Sequence, residues 1–309
     1  MSRSVFAQGS FRFSRANSGN MPLLHVERHG HVPDEEAGSI IALLEEFYGR
    51  LRPDCLDLVE IILFENDSLW RGYASSERRK AGVSSAEFDD AFIATHEAWT
   101  GIPRISISLE RKQDLAPLVW EGALRHEAGH SILHGSLEYY ALPMPKALQK
   151  AGENFTRLVP HLRDMLYLLS LAVKDMEVAR LLTSNGYIED QVAYARFTMK
   201  ASQQDIDAWA LASLAPEARA LCLVGRMKDI AAGIMLATGS QHPHIDLREV
   251  EESLGYLDRN LRNGLLDTMK EVSRGLGHDT LANIERAGRL LVDNIIDSVM
   301  SNPSVVNPS

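Results

Sequence analysis

The chain has 309 residues, 45% of them apolar and 24% charged, which allows a sizeable core and excludes a disordered or collagen-like chain. Its 42 acidic and 32 basic side chains leave a net charge of −10, against the clustered cations that nucleic-acid phosphates require, so no nucleic acid is expected as a partner. Cys55 and Cys222 make no disulfide framework and lack the spacing of a cysteine zinc site, so a reducing, cytoplasmic setting is expected. No run of about 20 apolar residues offers a membrane span, and no membrane partner is expected.

Residues 1–22 carry Arg3, Arg12 and Arg15 and no acid, and their apolar centre, Val5-Phe6-Ala7, is too short for a secretory signal. They read as a disordered leader. His25, His29 and His31 surround Gly30 and read as solvated imidazoles in a flexible loop. A helical pattern opens at Pro33-Asp34 with Asp34 as N-cap, uses Ile40, Ile41, Leu43, Leu44, Phe47 and Tyr48 as apolar positions, and stops at Arg52-Pro53. Leu56 to Phe64, rich in Val and Ile, is a predicted strand. Ile102 to Leu109 is a second, in which apolar residues alternate with hydroxyls, and Pro103 at its start favours an edge position.

Everything after that reads as helical. A helix capped by Asp114 runs to Gly135, another spans about Pro160 to Ser184, and about five more follow from Asp190. Breaks are expected at Ser213–Pro216, Gly239-Ser240, His242-Pro243 and Gly275–His278, with a frayed end over Asn302–Ser309. The fold class is therefore α+β and mostly helical, with a small antiparallel or mixed sheet early in the chain. The predicted organisation is a leader at 1–22, a core at 23–186 and a helical region at 187–309 packed on that core.

Within the predicted helix ending at Gly135 stands His126-Glu127-Ala128-Gly129-His130. Helical spacing puts the two imidazoles about 40° apart and one turn along, where both can bind one Zn²⁺. Zinc at a catalytic site takes a third protein ligand and keeps a position for water. Glu127 projects about 100° from His126, so its carboxylate can reach a metal-activated water without being a ligand, as general base and then general acid.

The third ligand is sought on the helix after Pro160, where Asp175 and Glu177 are the candidates. The residues three and four away from Asp175 are Leu171, Ala172, Val178 and Ala179, all apolar, which puts Asp175 on the inward face. Glu177 is flanked by Lys174 and Arg180 and reads as solvated and paired. Asp175 is the first choice and Glu177 the alternative. His134 is a further candidate, although close to Gly135 it suits the helix's C-terminal carbonyls.

Arg104 to Leu109, as an exposed edge, would accept an extended peptide by backbone pairing, and a purely structural strand explains it equally well. Tyr139, Tyr140, His161 and Tyr187 are candidates to stabilise an oxyanion. Phosphate-loop, Gly-x-Ser-x-Gly and cysteine-nucleophile signatures are absent from the sequence.

The strand, the motif helix and the later acidic helix resemble the catalytic core of zincin metallopeptidases, closest to the compact gluzincin-like group, the minigluzincins. His126 to His134 also resembles the His-Glu-x-Gly-His-x-x-Leu-His segment of ImmA-like regulatory peptidases. The resemblance covers roughly Leu56 to Gly186. It implies zinc held by His126, His130 and a residue of a downstream helix, with Glu127 as catalytic base. Gluzincins commonly carry an acidic or amide residue four positions after the ligand Glu, whereas Glu177 is followed there by Leu181. The expected function is zinc-dependent hydrolysis of peptides or unfolded proteins by a zincin-like core. The alternative is a non-catalytic or latent zincin-fold regulatory or binding protein with a structural zinc site.

Overall fold

The computed structural model describes residues 21–81, 93–239 and 243–301. The expected leader (all but Met21 and Pro22), the Ser240 to His242 part of the expected breaks, and the tail from Asn302 lie outside these residues. The described chain is α+β and mostly helical, with one four-stranded mixed sheet. It forms two compact units, one ending at Ala141 and the other beginning at Leu142.

The first unit runs β1 (Leu23–His29), α1 (Asp34–Leu51), β2 (Leu58–Phe64), α2 (Asp67–Ala81), β3 (Ala94–Glu97), β4 (Arg104–Ser108) and α3 (Pro117–Leu133). The strand order is β1-β2-β4-β3; the first three are parallel and β3 runs antiparallel to β4. The register pairs Val26 with Ile61 and Ile61 with Ile105, so the two-residue period of a strand gathers these residues on one face with Leu24, Val59, Leu63 and Ile107. All seven are buried. Helices α1 and α3 pack on each other, and α3 lies against β3 and β4.

Three expectations change here. The predicted loop around His25 and His29 is the strand β1, and His29 stacks on Phe64 with ring centroids 5.0 Å apart. Strand β4 is interior, not an edge: it pairs with β2 on one side and β3 on the other, and all five of its residues are buried. Pro103 stands just outside it, where its carbonyl accepts from the Glu60 N–H at 2.9 Å, so its missing donor costs the sheet nothing. A peptide therefore has no edge to pair with along Arg104–Ser108. Asp34, lastly, opens α1 as its first residue, pairing with Arg28 at 2.5 Å, while Pro33 holds the N-cap position.

The second unit contains α4 (Lys146–Asn154), α5 (Leu162–Ser184), α6 (Glu189–Met199), α7 (Gln203–Ala212), α8 (Pro216–Thr238), α9 (Leu247–Ser253), α10 (Arg259–Arg274), α11 (Thr280–Leu291) and α12 (Asp297–Ser301). Among the described residues seven helices thus follow α5 instead of about five, the extra ones being the short α9 and α12. The unit is built around α8, whose stretch Ile230 to Ala237 is buried on every side, as an all-round apolar helix must be. Helix α5 packs along α8, and α11 packs on α5.

Candidate metal centre

Helix α3 starts with Pro117 at its first position, where a fixed φ suits the helix and the missing N–H has no partner to lose. The residue before it, Ala116, is the N-cap, and Asp114 instead belongs to a short 3-10 turn at Lys112–Asp114. Eleven of the seventeen residues of α3 are buried, so it is an internal helix rather than an amphipathic surface one. Two polar contacts fix it against α1. The Tyr48 hydroxyl meets Ser131 Oγ at 2.7 Å, and Arg125 bridges Glu121 at 3.1 Å and Glu46 at 3.8 Å. Since the Ser131 hydroxyl donates to the Ala128 carbonyl at 2.7 Å, the Tyr48 hydroxyl is the donor to Ser131. Burial pushes the Tyr48 phenol well above its ordinary pKa, keeping it a neutral donor.

On this helix His126 and His130 are 3% and 7% exposed, and their ring centroids stand 4.9 Å apart at 77°. A nitrogen of each, together with a carboxylate oxygen of Asp175 on α5, forms a group of atoms all within 4.8 Å of one another. Donors around a tetrahedral zinc at about 2.0–2.1 Å stand roughly 3.4 Å apart. Two imidazoles and one carboxylate are also a donor set that zinc takes at catalytic sites. Glu127 is 9% exposed on the same turn and is not a member of the donor group.

The two acidic candidates on α5 divide in a way their neighbours do not suggest. Glu177 is the buried one, 5% exposed, and Asp175 is only half-buried. Glu177 accepts hydrogen bonds from Thr280 Oγ1 at 2.8 Å and Asn283 Nδ2 at 2.5 Å, both on α11. Its expected solvated pairing with Arg180 is replaced, because that guanidinium donates to the Leu276 and Gly277 carbonyls at 2.9 and 2.7 Å. Glu177 thus ties α5 to α11, while Asp175 is the carboxylate grouped with the two imidazoles. Between them in sequence, Lys174 is 6% exposed; burial pulls its amine down to about 8, against the pull of Asp175 and Glu177.

His134, 1% exposed, follows the last residue of α3, and its Nδ1 lies 3.1 Å from His130 Nδ1. It is not a member of the donor group. Tyr139 packs edge-on against the His134 ring at 5.2 Å. On its other side His130 faces His96 of β3, with nearly parallel rings 6.0 Å apart, and the Tyr140 hydroxyl lies 3.1 Å from His96 Nδ1. His96 was missed by sequence reasoning: it sits in a strand of four residues, Ala94–Glu97, too short to show a period. Of the candidates for oxyanion stabilisation, Tyr139 and Tyr140 reach this histidine cluster through His134 and His96, while Tyr187 is 6% exposed in the turn after α5 and His161 ends a 3-10 turn before it.

No helix among the described residues is long and apolar enough to cross a membrane. Comparison with protein-family models, curated proteins and solved structures finds no match to this chain.

Proposed function

We propose that this chain is a zinc-dependent peptidase with a zincin-like core, in which His126, His130 and Asp175 hold the metal and Glu127 moves the proton. The observation behind this reading is the grouping of donor atoms of His126, His130 and Asp175, with the buried Glu127 on the same helical turn as the two histidines. When bound by such a set, zinc supplies Lewis-acid polarisation of a carbonyl and lowers the pKa of water towards about 7. Two neutral imidazoles and one carboxylate cancel half of the ion's charge and leave the remainder to act on substrate. The Glu127 carboxylate takes a proton from the attacking water and returns it to the departing amine nitrogen, so that peptide and water become acid and amine with no net change at the carboxylate. Its burial strengthens each of these electrostatic contacts relative to water.

The closed structural-zinc alternative loses its nearest fourth ligand. His134 is held against His130 Nδ1 and lies outside the donor group, which favours a metal position with three protein donors. The test is hydrolysis of an unstructured protein and a peptide library by the zinc-loaded full chain. Glu127→Gln is expected to retain one zinc per chain and to lose at least about 10²-fold in hydrolysis, the low end of what a general base contributes. A chelator abolishes cleavage by the unaltered chain. Full activity of Glu127→Gln, or no cleavage by a zinc-replete chain, overturns the peptidase reading.

A further inference from the structure

We infer that His134 is a positioning residue that selects the tautomer of His130, leaving Nε2 of His130 as its metal donor. This rests on the metal site proposed above. The two Nδ1 atoms stand 3.1 Å apart, so one of them carries a proton and the other offers its lone pair. If His134 donated, the neutral His130 ring would carry its own proton on Nε2 and have no nitrogen left for a metal. If His130 donates, its Nδ1–H is satisfied by His134 and the lone pair that a metal takes lies on its Nε2. Metal binding therefore requires the second arrangement, with the His134 proton on Nε2.

The surroundings hold His134 in place for this task. It is 1% exposed, its backbone N–H donates to the His130 carbonyl at 2.7 Å, and the Tyr139 ring packs edge-on against its imidazole. The chain turns away immediately afterwards at Gly135, where a Cβ would come 2.3 Å from the Ser131 carbonyl oxygen and 2.9 Å from Pro103 Cγ. Only glycine lets the backbone pass there. Histidine ligands of metals generally give their second N–H to a carboxylate, carbonyl or water; here a neutral imidazole takes that place. Having no charge, it fixes the ring without adding an anion to the site.

The experiment measures zinc affinity by chelator competition and the His130 tautomer by long-range ¹⁵N–¹H NMR on the full chain. Zinc-loaded unaltered protein is expected to show His130 protonated at Nδ1 and His134 protonated at Nε2. His134→Phe keeps a ring against Tyr139 but has no acceptor, and is expected to weaken zinc binding about 10–100-fold, the usual cost of losing such a partner. His134→Asn, whose Oδ1 lies near the position of Nδ1, is expected to restore most of that loss. Melting of the zinc-free variants separates an unfolded chain from a folded one with a loosened ligand. If His130 carries its proton on Nε2, or folded His134→Phe binds zinc as tightly as the unaltered chain, the positioning role is wrong while the metal site stands. If the unaltered chain binds no zinc, the proposed function falls and this inference with it.

Discussion

Replacing Glu177 by Ala separates the two acidic residues of α5 by what each one does. The substitution removes a carboxylate that is 5% exposed and accepts from Thr280 Oγ1 and Asn283 Nδ2. Asn283 cannot turn its amide to compensate, because its Oδ1 already accepts from the Gly277 N–H at 2.8 Å. A hydroxyl and an amide N–H are left buried without acceptors, each at about 1–3 kcal/mol, for a loss of about 4 kcal/mol. At 2–4 °C per kcal/mol for a unit of this size, the zinc-free chain should melt roughly 8–16 °C lower. Glu177→Gln should fall between, since its carbonyl can face Asn283 and its amide a rotated Thr280 hydroxyl. Neither change touches the donor group, so both variants should still bind one zinc per chain at temperatures where they are folded. Asp175→Ala should do the reverse: zinc is lost, and the melting temperature of the zinc-free chain falls less than for Glu177→Ala. Calorimetry of the zinc-free proteins and metal analysis after gel filtration read the two effects separately. An unchanged melting temperature for Glu177→Ala with loss of zinc, or stoichiometric zinc in Asp175→Ala, would refute the assignment.

The Tyr48–Ser131 bond should show the asymmetry of its donor and acceptor: Tyr48→Phe leaves Ser131 still bonded to Ala128 and costs about 0.5–1.5 kcal/mol, whereas Ser131→Ala strands a buried phenol and costs about 1–3 kcal/mol. Urea denaturation of both variants checks the order, and a larger loss for Tyr48→Phe would contradict the assigned donor. Gly135→Ala should lose about 1–3 kcal/mol, as overpacking against a backbone carbonyl does, and should weaken zinc binding through His134; unchanged stability would mean the chain can leave α3 by another path. Removing zinc should lower the melting temperature of the unaltered chain in proportion to the lost binding energy, about 2.7 kcal/mol at a free zinc concentration 100 times Kd, and should leave His126→Ala unaffected.

The motif helix was legible from its His-Glu-x-x-His chemistry and from Gly135 just past its end, whereas its start was misplaced: Asp114 was taken as the cap, but the helix opens at Pro117 after Ala116. The strand at Leu58–Phe64 was legible from its Val and Ile, and that at Arg104–Ser108 from its alternation of apolar residues with hydroxyls. Strand β3 was not, being four residues of mixed polarity, and neither was α2, in which polar residues outnumber apolar ones. The edge expectation for β4 failed because Pro103 lies one residue before the strand, where proline carries no information about pairing. Asp175 was reached by an argument from local neighbours that the structure does not follow. Residues three and four positions away report the helix's own surface, but the burial of Glu177 is settled by Thr280 and Asn283, 103 and 106 residues on.

X-ray absorption at the zinc edge of the full chain, reconstituted with one equivalent of metal, tests the site most directly. The expected spectrum has nitrogen and oxygen donors at about 2.0–2.1 Å, no sulfur, and outer scattering from two imidazoles that drops to one in His126→Ala and in His130→Ala. A chain that retains no zinc, or a spectrum that neither histidine substitution alters, would contradict the metal site and with it the peptidase reading.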